Sequence, residues 1–196
     1  GWHVAPTNNQ DNHKGRWGDA NTARTVMVSK TNTEDSVYDA MRNYRIYATE
    51  DNNLSIKYTL NDYLMGSILT KDEVGSTANI KAVINDPDAS DVIGNVQVIV
   101  NGGIVAAHKE ITTNSATVEF SIPNNYSFYY LKVTEKDGNI AVTAPVWSGK
   151  VEACGINKTY TDTTLPVAGK SADVNVDFYN NESQPLTLND ITFSIQ

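Results

Sequence analysis

The sequence predicts a mainly β protein in which a short strand–helix–strand segment precedes an antiparallel sandwich. Three observations support this prediction. From Leu54 onward apolar and polar residues alternate with a period of two, which is typical of half-buried strands. Turn-forming pairs such as Asp137-Gly138 separate the alternating runs. Before them, Val37, Ala40 and Tyr44 follow the spacing of one helical face.

The first 50 residues contain the signals of a strand, a helix and a second strand. Residues 25–28 form a short apolar run that indicates a buried strand. The helix is expected to begin near Thr31, which has capping-box spacing to Glu34, and Thr33 is an alternative cap. Residues 46–48 then predict another strand. This order is a fragment of an α/β pattern.

Seven short strands are predicted in the middle of the chain. They cover residues 54–60, 78–84, 96–100, 104–111, 116–122, 128–134 and 140–146. Such a series favours an antiparallel sandwich of immunoglobulin-like type. The cysteine pair of antibody domains is absent, so the likeness is one of architecture. Residues 151–196 alternate again and are predicted to add strands to this sandwich or to form part of a second one.

The composition excludes several classes of protein. The 196 residues are 40% hydrophobic and 19% charged, which is usual for a globular chain and excludes a fully disordered one. The net charge of -8, with no basic stripe, argues against nucleic acid as a partner. No apolar run of about 18 residues predicts a membrane span. A single cysteine, Cys154, excludes an intrachain disulfide and a four-thiolate zinc site.

Candidate metal ligands lie in the polar loop before the first strand. Asp11 and His13 are two residues apart, so in an extended loop their side chains point to the same side. A carboxylate and an imidazole suit Zn, Mn or Fe, although a tight site usually has three or four ligands. The spacing alone leaves open a plain turn in which Asp11 caps the backbone and His13 is solvated.

The same stretch resembles a known family. Residues 1–13, GWHVAPTNNQDNH, followed by Trp17-Gly18, resemble the last metal-binding motif of the PHP (polymerase and histidinol phosphatase) metallohydrolases. Residues 24–26 and 45–51 continue the resemblance, which covers roughly residues 1–70 and the sandwich more loosely. In that family a distorted (β/α)7 barrel holds a metal cluster that activates water to attack a phosphate ester.

The resemblance implies a role for several residues. Asp11 and His13 would be metal ligands. No ligand of the family maps onto His3, which is a neighbour of the site and an additional candidate ligand because it lies near this loop in the sequence. The metal would be Zn, Mn or Fe in the intact parent protein. Arg24 and Arg45 are candidates for binding phosphate, with pairing to acidic residues at the helix ends as the alternative.

The resemblance also implies a division of the chain. Residues 1–50 would be the C-terminal remnant of the PHP-like catalytic domain, 51–150 the immunoglobulin-like sandwich, and 151–196 additional strands or a partial second sandwich. The family's other ligands have no counterpart here, and His108 lies in a predicted strand. We therefore expect this chain to be inactive alone, while the parent would be a metal-dependent phosphoric ester hydrolase.

Partners and location follow from the same reading. The missing barrel and a phosphate-ester substrate would be partners in the parent, and an exposed fragment surface could form a homo-oligomer. The source would be bacterial and the location extracellular or on the cell surface, with the cytoplasm as the alternative.

A second hypothesis comes from a different class of protein, a non-catalytic β-sandwich module that binds a surface glycan or a protein. Tyr126, the run 128–130 and Trp147 could stack on a sugar, although strand aromatics usually belong to the core.

The loop Asp86-Pro87-Asp88 with Asp91 could hold calcium. It lacks the Gly and Glu of an EF-hand loop, so a solvated turn is the preferred interpretation.

Overall fold

The structure is a computed structural model that describes residues 2–149, 154–161, 174–180 and Thr187. It divides into two compact units, Gly1–Lys150 and Val151–Gln196. The first unit contains two helices, α1 (Glu34–Arg42) and α2 (Lys71–Val74). Its strands are β1 (Arg24–Met27), β2 (Ile46–Thr49), β3 (Ser55–Leu60), β4 (Tyr63–Leu64), β5 (Thr77–Asn85), β6 (Gly94–Val100), β7 (Ile104–Ile111), β8 (Ser115–Pro123), β9 (Phe128–Thr134), β10 (Ile140–Thr143) and β11 (Val146–Trp147).

These strands form two antiparallel sheets, which confirms the prediction of a mainly β protein with antiparallel pairing. The first sheet has the order β1-β2-β10-β9-β6-β7, and β11 also pairs with β9. The second has the order β4-β3-β5-β8. Consecutive strands such as β6 and β7 pair directly, whereas β2 pairs with the distant β10.

The strand–helix–strand segment is built into the larger sheet. Tyr47 of β2 lies opposite Thr143 of β10, and Thr49 lies opposite Ala141. The predicted boundary at residues 50/51 therefore runs through one compact unit, whereas the unit boundary falls at Lys150. Tyr47 belongs to the hydrophobic core, and Val26 packs against it.

Both sheets of the first unit share that core. In β5 the even-numbered residues from Ala78 to Ile84 are buried and their neighbours face outward, as the period-two pattern predicts. Tyr58 of β3 is fully buried, and its hydroxyl donates to the backbone oxygen of Tyr129 in β9 at 3.0 Å. A buried hydroxyl needs such a partner, so this bond links the two sheets at a fixed position.

A side-chain cap fixes where α1 begins, and a proline interrupts one of the predicted strands. Thr33 caps α1, because its hydroxyl accepts from the Ser36 amide at 3.4 Å; the helix therefore begins at the alternative cap and not at Thr31. The predicted strand over 140–146 is divided into β10 and β11 around Pro145, which has no amide hydrogen for a ladder bond.

The second unit contains an antiparallel strand pair, β12 (Cys154–Thr161) and β13 (Val174–Asn180), with a register shift between Ile156 and Lys158. The alternation predicted around Val176 lies within β13. The predicted alternation at residues 186–195 lies outside the described residues. In the parts of the chain that the structure describes, no helix has the length and apolar character needed to cross a bilayer.

Candidate functional site

Asp11 and His13 meet in the loop before β1, but through a turn: Asp11 has a φ of 42°, so the backbone there is not the extended one that the spacing argument assumed. The His13 Nε2 atom lies 2.9 Å from Asp11 Oδ1, and the two side chains are 82% and 88% exposed. Among the described residues, the one group of three candidate ligands close enough to share an ion lies elsewhere. The structure therefore brings this pair together and brings no third ligand to it from the described parts of the chain.

His3 has aromatic surroundings. Its ring meets the edge of the Trp147 ring at a centroid distance of 4.6 Å, and Tyr44 contacts the same indole at 5.6 Å. Its ligand atoms do not join those of Asp11 and His13 in a three-ligand group. This contact places His3 beside β11.

The two candidate phosphate-binding arginines are engaged within the chain. The Arg24 guanidinium donates to the backbone oxygens of Gly18, Asn21 and Ala23 at 2.8–3.0 Å. Arg45 pairs with Asp39 of α1, which is the helix-end pairing that the sequence left open. Both groups would have to give up these partners to bind a phosphate.

The candidate sugar platform is divided between the core and the surface. Tyr129 is fully buried, and its hydroxyl donates to Asn124 Oδ1 at 2.8 Å. Trp147 is also buried. Phe128 and Tyr130 stack at 6.3 Å on the other face of β9, and both are half-buried. The five aromatic residues therefore do not form one exposed platform.

Four of the described carboxylates lie close together at one end of the first unit. Asp51 follows β2, Asp86 follows β5, and Asp91 lies in the loop before β6. One carboxylate oxygen of each lies within 4.8 Å of the others. Glu135 follows β9 directly and lies beside this group, since the charges of the three aspartates act on it. We call these four residues the acidic cluster.

Backbone amides hold part of the acidic cluster in place. Asp51 Oδ1 accepts from the amides of Asn53 and Leu54 at 2.7 and 2.8 Å. Asp86 Oδ1 accepts from the Asp88 amide at 2.7 Å. These bonds use one oxygen of each carboxylate and fix the direction of the other.

Other oxygens of the acidic cluster are buried without a partner. Glu135 is 4% exposed, and neither of its carboxylate oxygens has a hydrogen-bond partner among the described residues. Asp86 is 0% exposed, and its Oδ2 atom likewise lacks a partner in the described part of the chain. Buried polar atoms are nearly always paired in folded proteins, so each of these oxygens needs an explanation.

Burial and the closeness of the carboxylates raise the pKa values of two members of the acidic cluster. Burial, followed by the charges of Asp51, Asp86, Asp137 and Asp91, raises the pKa of Glu135 to about 8. Burial also raises the pKa of Asp86, against the lowering effect of the Asp88 amide. Unlike a typical acid–base pair, these groups are not accompanied by an imidazole, a thiol or a lysine amine in a described contact.

The sequence indicated only part of this cluster. The loop of Asp86 and Asp91 was singled out, but Asp51 and Glu135 were not. The signal was present, since each of these two acids follows a predicted strand within a few residues, and the loops that follow neighbouring strands can meet at one end of a sheet. The order of strands in the sheets was needed to show that the three loops that carry these acids meet.

Comparisons with known proteins assign no family to the chain. No protein-family model matches it, and a search of curated proteins finds no match. The resemblance to PHP metallohydrolases therefore stays a prediction that depends on the motif around Asp11 and His13.

Proposed function

We propose that this chain is a non-catalytic β-sandwich module of immunoglobulin-like architecture that binds a protein partner along the free edge of β7. The observation that carries this proposal is the composition and position of that edge. Among the described strands, β7 pairs with β6 alone and stands at the end of the larger sheet. An unpaired edge offers main-chain donors and acceptors to an added strand.

The side chains of β7 support the same proposal. Ile104 and Val105 are 55% and 44% exposed at the start of the strand. Natural edge strands are usually protected by charge or by a short length, but β7 has eight residues and begins with exposed apolar ones. The charged residues follow later, at Lys109 and Glu110.

The arrangement of titratable residues supports a non-catalytic role. Each of the three histidines has different surroundings. His3 contacts Trp147, His13 pairs with Asp11, and His108 is exposed on β7. General acid–base or nucleophilic catalysis needs a positioned partner within hydrogen-bond reach in a sheltered site. In the described parts of the chain, Asp11 and His13 are within hydrogen-bond distance of each other, but both side chains are exposed to solvent.

The test compares two valines of equal exposure. Val105 lies on the free edge, and Val83 is also 44% exposed but lies in β5, which is paired on both sides. Peptides selected from a displayed library on the wild-type chain should bind Val83→Lys as well as wild type. They should bind Val105→Lys at least 10-fold more weakly. Equal binding to all three proteins contradicts the proposal.

A second candidate function rests on the contact between Asp11 and His13. Under this second candidate function the chain is part of a longer protein, a PHP-like phosphoesterase, and supplies its last ligands for Zn, Mn or Fe. Asp11→Ala and His13→Ala in the intact parent should then abolish hydrolysis of a phosphate ester, with little effect on folding because both side chains are exposed. Full activity in both variants contradicts this candidate.

A further inference from the structure

The acidic cluster lies where loops from both sheets converge. Asp51 lies between β2 and β3, Asp86 and Asp91 between β5 and β6, and Glu135 between β9 and β10. The loop of Asp86 is also tied to the β7–β8 turn, because Asn114 Nδ2 donates to the Asp86 backbone oxygen at 2.8 Å. Four connections of the first unit therefore meet at this end.

The negative charge of the cluster has no basic counterpart in the described parts of the chain. The described ion pairs do not include any of its four carboxylates. Lys136 is next to Glu135 in sequence, but its ammonium pairs with Glu110 at 3.1 Å. Buried carboxylates that lie close together without a basic partner are usually bound to a metal ion or protonated.

Glu135 and Asp86 provide a second, independent observation. Both side chains are more than nine-tenths buried, and three of their oxygens lack a hydrogen-bond partner among the residues described. Solvent does not reach these oxygens, yet they belong to the same cluster. A cation bound between the three aspartates would supply the missing partner for Asp86 Oδ2 and would offset the charge that acts on Glu135.

We propose that Asp51, Asp86 and Asp91 bind one calcium ion that ties together the loops at this end of the two sheets, with the buried carboxyl of Glu135 beside the ion. Two oxygens bound to one Ca²⁺ are at most about 4.8–5 Å apart, and the three aspartate oxygens meet this condition.

The chemistry of the donors favours calcium over other metals. The three aspartates and the neighbouring Glu135 offer hard oxygen atoms, and none offers the nitrogen or sulfur that zinc and other transition metals prefer. Mg²⁺ usually keeps several waters and takes one or two carboxylates, whereas Ca²⁺ accepts several carboxylates in variable geometry. Loops from different strands suit this less regular geometry.

The test measures calcium binding and thermal stability on the whole chain. After removal of metals with a chelating resin, the protein is titrated with CaCl2 by calorimetry, and its melting temperature is recorded with and without Ca²⁺. We expect about one ion per chain and a rise in melting temperature, because the ion binds the folded state. No binding heat and an unchanged melting temperature at millimolar Ca²⁺ overturn the proposal.

Variants test the assignment to these residues. Asp86→Asn should weaken calcium binding at least 10-fold, and Asp51→Asn provides a second ligand variant if Asp86→Asn fails to fold. Asp72→Asn removes the same charge from an exposed position in α2 and should bind like wild type. Equal loss in the Asp72 variant, or unchanged binding in both ligand variants, overturns the assignment. A response to Mg²⁺ equal to that to Ca²⁺ overturns the choice of calcium.

Discussion

At the scale of single residues, Glu135 has an unusual balance of forces. Its carboxyl is buried at the end of β9, and four aspartates act on its charge: Asp51, Asp86, Asp137 and Asp91. Each of these effects disfavours the ionised form. In protein freed of metal, the folded state therefore favours a protonated Glu135.

This balance predicts how the stability of the metal-free protein depends on pH. The pKa of Glu135 is about 8 in the folded state against 4.5 as the ordinary value, so between these values the folded chain holds a proton that the unfolded chain releases. The free energy of unfolding should fall as the pH rises through this window, by up to about 1.4 kcal/mol per pH unit. Urea unfolding at pH 5, 6.5 and 8 measures this slope.

A neutral isostere isolates the effect of Glu135. Glu135→Gln should lose this contribution and be less sensitive to pH than wild type. Glu119→Gln, an exposed residue that pairs with Lys81, should keep the wild-type slope. If the wild type and Glu135→Gln have the same pH dependence between 5 and 8, the assignment to Glu135 is wrong.

At the scale of elements, the close approach between α1 and the loop after β4 depends on one glycine. Gly66 has a φ of 88°, and its amide donates to the Pro145 backbone oxygen at 2.9 Å. A Cβ atom here would lie 2.2 Å from the backbone oxygen of Asn43, which caps the end of α1. The approach is therefore open only to a residue without a side chain.

Gly66→Ala should consequently destabilise the chain by about 2–4 kcal/mol, because the clash involves backbone atoms that cannot move without displacing the end of α1. Gly102→Ala is the matched control, since Gly102 also has a positive φ of 71° but no atom within 4 Å of a Cβ. The control should cost about 1–2 kcal/mol, the backbone term alone. Equal losses in urea unfolding would show that the contact with Asn43 contributes nothing.

The elements also show what the sequence could and could not predict. β7 and β9 occur at the predicted bounds because their alternation is local. The short β4 and α2 were missed, since two and four residues give too little periodicity to recognise. The pairing of β2 with β10 joins residues about 90 positions apart, and no local pattern encodes it.

The candidate sites follow the same rule. Asp11 and His13 are two residues apart and could be predicted to be neighbours, but the turn at Asp11, with its φ of 42°, could not be predicted. The encounter of Asp51 with Asp86 and Glu135 depends on which strands neighbour each other, so only one loop of the acidic cluster could be singled out from the sequence.

At the scale of the whole molecule, the chain consists of two compact units of unequal size, residues 1–150 and 151–196. The first has a core shared by two sheets, whereas the second contains the described strand pair β12 and β13. A unit of this smaller size is expected to be marginal in stability, because a short chain buries a smaller share of its surface on folding. The acidic cluster belongs entirely to the first unit.

This division predicts two transitions in differential scanning calorimetry. The larger should have an unfolding enthalpy of about 100 kcal/mol, at roughly 0.7 kcal/mol per residue, and should arise from residues 1–150. Calcium should raise the temperature of this transition alone, because a ligand stabilises the unit that binds it. A chain of residues 1–150 should reproduce the larger transition and its response to calcium. A single transition in the full chain, shifted as a whole by calcium, would show that the two units unfold as one cooperative body and that the division is not energetic.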